Sequence, residues 1–145
     1  MRSTIDAEGV EHLTPVTDSR PVLSPATATT MTEMLRGVVD HGTAEAAAIS
    51  GYSSCGKTGT ALKPFPGGYL GPDGAKHYMG TFVGFLPCED PQLSIIVVID
   101  DPSSSAYTGG AISAPVFAEH ADFAVRHFEI RPSAPVEDGD GTSSV

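Results

Sequence analysis

The sequence predicts an α+β fold, in which an antiparallel sheet of about three strands is flanked by helices. Three observations support this prediction: an amphipathic helical pattern near residue 30, strand-like segments between residues 52 and 99, and a second helical pattern from residue 113. Only a loop or a tight turn separates successive strands, as antiparallel pairing allows. The chain has 145 residues, which suffices for one domain with a hydrophobic core.

The first helix is predicted to follow a polar segment, residues 1–22, which we interpret as a loop with one short strand. Ser24-Pro25 favours a helix start, because serine caps helices and proline suits their first position. Gly42 is placed to end this helix. Its apolar face comprises Met31, Met34, Leu35 and Val38. We expect that face, including both methionines, to pack on the core.

Three segments are predicted to form the sheet. Residues 52–62 form a weak first strand and residues 78–86 form a second. The intervening residues 63–76 are predicted to be a loop, because their prolines and glycines are incompatible with a helix interior or a central strand. The unbroken Ile/Val run within residues 93–99 predicts a third strand that is buried on both faces. A tight turn before it predicts a hairpin.

The second helix is predicted from about residue 113 to residue 128, with Pro115 in its first turn. Its core-facing side is expected to carry Val116 or Phe117, Ala121, Ala124 and Phe128. Beyond Ile130 the chain is rich in proline, glycine, serine and acidic residues, which predicts disorder. The predicted organisation is therefore a polar segment at 1–22, a folded part at 23–132 and a disordered tail at 133–145.

Composition excludes several classes of function. The net charge of −10 argues against nucleic acid as a partner. The histidines show no metal-ligand spacing and the cysteines form no CxxC pair, so we expect no metal and no cofactor. The longest apolar run, residues 95–99, is far shorter than the roughly 20 residues of a membrane span, and the N-terminus does not resemble a signal peptide.

The two cysteines, Cys55 and Cys88, leave two alternatives open. They could face each other if the first two strands pair antiparallel, and a disulfide would then be geometrically allowed. Two free thiols fit the sequence equally well.

Three motifs overlap at Lys57. From Gly51 to Thr58 the letters fit the phosphate-binding pattern G-x-x-x-x-G-K-[ST]. That motif needs a helix directly after the threonine, and the glycines and prolines that follow Thr58 exclude one. Ser54 and Lys57 fit S-x-x-K, but an offset of three on a strand places two side chains on opposite faces. We therefore interpret this second match as accidental.

The third motif is Lys57-Thr58-Gly59, the K-T-G triad of serine transpeptidases and β-lactamases. On an edge strand that lines a cleft, the lysine supplies positive charge and the threonine hydroxyl donates a hydrogen bond to a substrate carboxylate. The glycine leaves room for the substrate backbone.

The surroundings of this triad resemble class B penicillin-binding proteins over about residues 20–132. The matching pieces are Gly56-Lys57-Thr58-Gly59-Thr60-Ala61, Phe82-Val83-Gly84-Phe85-Leu86-Pro87, Gly109-Gly110-Ala111 and Ala114-Pro115-Val116-Phe117, with Ser24-Pro25 and Gly42-Thr43 ahead of them. The type resembled is a division or elongation transpeptidase of actinobacteria. The resemblance implies part of a penicillin-binding or serine β-lactamase-like transpeptidase fold, and a D,D-transpeptidase activity that cross-links peptidoglycan.

The resemblance also implies roles for individual residues. Lys57, Thr58 and Gly59 would belong to the catalytic site, and Thr58 and Thr60 would bind the substrate carboxylate. The backbone N–H of Thr60 would serve the oxyanion hole. The partners implied for a full-length parent are the peptidoglycan stem peptide, β-lactams and membrane proteins of division or elongation, at the extracytoplasmic face of the cell membrane.

The family's other two motifs are not found in this sequence. An S-x-N motif is impossible because the chain contains no asparagine. Because we interpret the S-x-x-K match at Ser54 as accidental, we identify no serine nucleophile in this sequence. We therefore expect a truncated chain that is inactive alone, with an exposed sheet edge and face and marginal stability. Two alternatives are a nucleotide-binding module at Gly51 to Thr58 and a non-catalytic binding or assembly module.

Overall fold

A computed structural model describes residues 3–13, 20–103 and 105–134 of the chain. The described part contains β1 (Ser3–Ile5), β2 (Glu11–Leu13), α1 (Pro25–Asp40), a 3₁₀ turn (Glu45–Ala47), β3 (Cys55–Leu62), β4 (Tyr78–Leu86), β5 (Leu93–Asp100) and α2 (Gly109–His127). β3, β4 and β5 form one antiparallel sheet in that order, and β1 pairs with β2 in a separate hairpin. The predicted α+β class with a three-stranded sheet is confirmed.

α1 begins as the sequence predicts. The side chain of Ser24 accepts a hydrogen bond of 3.1 Å from the backbone of Thr27, and Pro25 occupies the first turn. The predicted burial of the methionines is wrong, because Met31 and Met34 are 47% and 63% exposed. The helix has its buried residue, Val39, near its C-terminal end, where it meets the core, while residues 25–31 are exposed.

The sheet has one covered face and one open face. Phe82 of β4 lies between Thr58 of β3 and Val97 of β5 on the covered face, which α2 packs against. The opposite, open face presents Val83, Ile96 and Val98, which are 46%, 67% and 51% exposed. The prediction that β5 is buried on both faces is therefore wrong, because helix α2 lies over only one of them. The expected exposed face is present in the described part of the chain.

The core forms where α2 crosses the covered face. The ring of Phe117 packs edge-to-face on Phe82 with 4.8 Å between centroids, and Ala121 and Val125 continue the buried side of the helix. Gly84 makes this contact possible, because a Cβ there would lie 2.8 Å from the Phe117 ring. The predicted inward position of Phe128 is wrong: Phe128 caps the end of α2 and is 63% exposed.

α2 also starts four residues before the predicted position. Pro115 therefore lies inside the helix and not in its first turn. The early start follows from Gly109, whose lack of a side chain lets the first turn approach the strands closely: a Cβ there would lie 2.0 Å from the Thr81 carbonyl oxygen. This contact depends on β3 and β4 being paired, which local sequence patterns do not report.

The two ends of the chain differ from the predicted organisation in detail. The polar N-terminal segment contains two short paired strands instead of one. The backbone N–H groups of Ser133 and Ala134 donate to the Gly51 carbonyl at 3.0 and 3.1 Å. The rest of the predicted tail, residues 135–145, lies outside the described residues. None of the helices in the described part is long and apolar enough to cross a membrane.

Candidate active site around the Lys57-Thr58-Gly59 strand

The triad lies in the middle of β3, at one edge of the sheet. β3 pairs with β4, and among the described residues no strand pairs with its other edge. Lys57, Thr58 and Gly59 are opposite Val83, Phe82 and Thr81 in the register. Each residue of the triad therefore lies beside an edge whose backbone groups can pair with an extended ligand.

Lys57 and Thr58 converge, although they are neighbours in a strand. Their side chains leave the strand on opposite faces, yet the Lys57 ammonium donates to the Thr58 carbonyl at 3.0 Å and to the Thr58 hydroxyl at 3.2 Å. The lysine side chain must therefore curl around the free edge of β3. This places a positive charge and a hydroxyl group next to each other at that edge.

The hydroxyl of Thr58 has a second partner across the fold. Its oxygen lies 2.9 Å from the hydroxyl oxygen of Thr43, in the segment between α1 and the 3₁₀ turn. Because the lysine donates to the Thr58 oxygen, the threonine proton is free to point away from Lys57, toward Thr43 or toward a bound anion.

Thr60 and the start of α2 complete this side of the strand. The Thr60 hydroxyl accepts a hydrogen bond of 3.2 Å from the backbone N–H of Gly109, the first residue of α2. The positive end of the helix dipole is thus next to Thr60. Gly59 contributes space, since a Cβ there would lie 2.4 Å from the Thr81 hydroxyl.

The beginning of β3 is fastened by a disulfide between Cys55 and Cys88, which settles the alternative that the sequence left open. Next to it, the Ser53 hydroxyl donates to Glu89 at 2.5 Å and accepts from the Cys88 backbone at 3.0 Å. Glu89 also forms an ion pair with Arg36 of α1 at 2.7 Å. The hydrogen bond from Ser53 is the main effect that lowers the pKa of Glu89; burial opposes it, and the charge of Arg36 adds to the lowering.

The far end of β3 is fastened by an ion pair. The ammonium of Lys63 lies 2.6 Å from Asp100, the last residue of β5. The hydrogen bond to Asp100 raises the pKa of Lys63, so this pair persists across the neutral range. Both ends of the triad strand are therefore tied to the rest of the sheet.

The two competing motifs at Lys57 do not form sites. The residues from Gly51 to Thr58 run into strand β3 and not into a helix, so the amides that a phosphate loop needs are missing. Ser54 is buried, at 3% exposure, whereas Lys57 is exposed and bonded to Thr58. Within the described ranges, no three His, Cys, Asp or Glu side chains converge as metal ligands would.

Sequence reasoning located the triad but missed its neighbours. Thr43 and Gly109 touch Thr58 and Thr60 from distant parts of the chain, and no pairing pattern links them in the sequence. The available signal was their position in the segments Gly42-Thr43 and Gly109-Gly110, which resemble family segments.

A family model described as the penicillin binding protein transpeptidase domain matches residues 1–122 of this sequence. The chain belongs to the class B penicillin-binding protein transpeptidase family. Similar curated proteins include the probable peptidoglycan D,D-transpeptidase PenA of Neisseria flavescens, 33% identical over 79% of this chain and 28% of that protein. The peptidoglycan D,D-transpeptidase FtsI of Escherichia coli is 41% identical over 61% of this chain and 14% of that protein.

Solved penicillin-binding proteins share the fold of this transpeptidase chain. Penicillin-binding protein 3 of Mycobacterium tuberculosis, in complex with ampicillin, matches with a TM-score of 0.69 and 30% identity over 95% of this chain and 32% of that one. The transpeptidase domain of Burkholderia pseudomallei penicillin-binding protein 3 matches with a TM-score of 0.68 and 34% identity, over 83% of this chain and 37% of that one. The actinobacterial subtype stays a prediction.

The transpeptidase chain is short beside its relatives. It spans between 14% and 28% of the length of the curated proteins compared. The predicted transpeptidase resemblance and fold are confirmed, and the nucleotide-binding alternative is not favoured.

Proposed function

We propose that this chain supplies the K-T-G side of a peptidoglycan D,D-transpeptidase site, in which Lys57, Thr58 and Gly59 belong to the catalytic machinery and Thr58 and Thr60 bind a carboxylate. The observation that carries the proposal is the convergence of the Lys57 ammonium and the Thr58 hydroxyl at the free edge of β3. A carboxylate there would receive a charge-assisted hydrogen bond from the lysine and a hydrogen bond from the threonine.

The ligand proposed for this edge is the C-terminal carboxylate of a D-alanyl-D-alanine stem peptide, or the carboxylate of a β-lactam. The relatives' names support the first, since several are called peptidoglycan D,D-transpeptidases, and the ampicillin complex of the mycobacterial relative supports the second. Thr60 is placed to add a hydroxyl, and the start of α2 favours negative charge beside it. The backbone N–H of Thr60, if it donates in an oxyanion hole, would stabilise the transition state by about 3 kcal/mol.

The acylating serine is not supplied by Ser54 in this proposal. Ser54 is buried, and Lys57 bonds to Thr58. A serine nucleophile on an S-x-x-K helix has to face the triad for peptide-bond cleavage. The 145-residue chain alone is therefore proposed to bind the carboxylate without forming an acyl-enzyme.

The parent enzyme is proposed to work at the extracytoplasmic face of the cell membrane, with division or elongation membrane proteins as partners. The disulfide between Cys55 and Cys88 supports an oxidising compartment. The domain is proposed to comprise residues 23–132, as predicted from the sequence.

Two experiments test the proposal. Titration of the isotope-labelled chain with D-alanyl-D-alanine should shift the amide resonances of Thr58, Thr60 and Gly109. Thr58→Val should weaken this binding, whereas Thr30→Val, which changes an exposed threonine of α1, should not. Shifts that persist unchanged in Thr58→Val would contradict the assignment.

The second experiment is labelling with a fluorescent penicillin. We expect no label that survives denaturation of the 145-residue chain. A stable label that disappears in Ser54→Ala would show that Ser54 is a nucleophile after all.

A further inference from the structure

The loop formed by residues 63–77, between β3 and β4, is organised around a single imidazole ring. The loop is closed at its base by a hydrogen bond of 2.9 Å from the Lys63 backbone to the His77 carbonyl. The ring of His77 packs edge-to-face on Phe65 with 5.3 Å between centroids. It also packs closely on Gly71, where a Cβ would lie 2.6 Å from the ring.

Both nitrogens of this ring face carboxylates from different parts of the chain. Nε2 lies 3.0 Å from Asp73, inside the loop, and Nδ1 lies 2.7 Å from Asp101, just beyond the end of β5. The His77 side chain is 22% exposed. The imidazole therefore connects the middle of the loop to the end of β5, the strand that pairs with β4.

The bridge is complete only when the ring is charged. A neutral imidazole carries one N–H, so its second nitrogen would present a lone pair to a carboxylate oxygen. The imidazolium donates from both nitrogens and satisfies both carboxylates. The hydrogen bonds to Asp73 and to Asp101 accordingly raise the pKa of His77, against the opposing effect of burial.

The other charged groups around the ring do not reverse this effect. The Lys63–Asp100 ion pair lies at the base of the loop, and its partners are engaged with each other. Lys76 precedes His77 in the chain. Asp73 is held further by the Ala75 backbone N–H, and this bond, with that from His77, lowers the pKa of Asp73.

We propose that charged His77 holds the middle of the 63–77 loop to the end of β5 through its hydrogen bonds to Asp73 and Asp101, and that this attachment depends on pH. We call this pair of hydrogen bonds the latch. In its charged form the latch is closed. Loss of the proton as the pH rises replaces one of the two hydrogen bonds by a repulsive contact, and the middle of the loop is released. The loop begins three residues after Thr60, so the latch determines whether the loop beside the triad strand is ordered. The inference does not depend on the carboxylate-binding role of that strand.

Hydrogen exchange of the labelled 145-residue chain tests the latch. The informative amides are those of Gly71 and Ala75, which donate within the loop to Ala75 and Asp73. Their protection factors, corrected for intrinsic exchange, should fall about tenfold as the pH rises through the raised pKa of His77. The amides that pair β4 with β5 should keep their protection over the same range.

Three variants decide the outcome. His77→Gln should show low loop protection at every pH, whereas His120→Gln should behave as the wild type, because His120 bonds within α2. Asp101→Asn removes one charge at a left-handed position, φ 53°, that asparagine tolerates. It should lower the pKa of His77 and move the loop transition to lower pH.

Asp101→Asn keeps the test decisive if His77→Gln fails to fold. Loop protection that stays constant through the titration of His77 would overturn the proposal. A loop transition at the same pH in Asp101→Asn and the wild type would also overturn it.

Discussion

The hydroxyl oxygens of Thr43 and Thr58 lie 2.9 Å apart, although 15 positions separate the two residues. Thr43 belongs to the segment between α1 and the 3₁₀ turn, and Thr58 is the middle residue of the triad. Lys57 donates to the same Thr58 oxygen, so the Thr58 hydroxyl has hydrogen-bond partners on two sides. The strand that carries the triad is thus tied to the segment that follows α1.

Thr43→Val should remove this tie. We expect the free energy of unfolding to fall by about 0.5–1 kcal/mol, the lower part of the usual range for a hydrogen bond, because the pair is exposed. Urea denaturation measures the change. Thr30→Val is the matched control on the exposed side of α1. A loss of equal size in both variants would show that the threonine pair contributes nothing specific.

Replacing Cys55 and Cys88 together by alanine should destabilise the chain strongly. The disulfide spans 33 positions. Closing a loop of that size removes conformational entropy from the unfolded chain, which stabilises the folded state by about 3–4 kcal/mol. Both residues are buried, at 0% and 4% exposure. The midpoint of urea denaturation should fall in the double variant and in the wild type treated with a reductant. A wild-type midpoint that reductant leaves unchanged would contradict this role.

Gly109→Ala should destabilise the contact between α2 and the strands. The new Cβ would lie 2.0 Å from the Thr81 carbonyl oxygen and 2.5 Å from that of Gly59, and backbone atoms cannot move aside easily. We expect a loss of about 1–3 kcal/mol. Gly37→Ala in α1 is the control, because its Cβ meets only the flexible His41 ring at 3.4 Å and alanine favours helix. Equal stability of the two variants would be the contrary result.

The ion pair and hydrogen bond of Glu89 should make stability depend on acid pH. Its folded pKa is lowered, mainly by the hydroxyl of Ser53, so its contribution is complete above the unfolded value of about 4.3. The contribution is lost as the pH falls through the folded pKa. The difference in stability between wild type and Glu89→Gln should therefore shrink on acidification. A difference that stays constant on acidification would contradict this role of Glu89.

The open face of the sheet should promote self-association of the 145-residue chain. Ile96 is 67% exposed and lies opposite Val83, which is 46% exposed. Ile96→Lys should reduce association in sedimentation experiments, because it replaces apolar surface by charge. Ser94→Lys adds the same charge on the same face without removing apolar area. If both variants associate as the wild type does, the open face is not responsible.

Much of the architecture could be predicted because its signals are local. The Ser24-Pro25 start of α1, the strand that carries the triad and the β4–β5 hairpin all follow from capping, glycine and proline positions, and β-branched runs. The errors share a cause. Met31, Met34 and Phe128 carry apolar side chains at helical spacing, but spacing alone does not say which turns of a helix reach the core.

The sequence by itself determined that Lys57, Thr58 and Gly59 share one strand and that no helix follows them, which excludes a phosphate loop at Gly51 to Thr58. These properties depend on neighbouring residues only. The tertiary structure decided what surrounds them. The contacts of Thr58 with Thr43, of Thr60 with Gly109, of Cys55 with Cys88 and of His77 with Asp101 each join segments far apart in the chain. Such contacts arise only when packing of the strands and helices brings those segments together, and no local pattern encodes that distance.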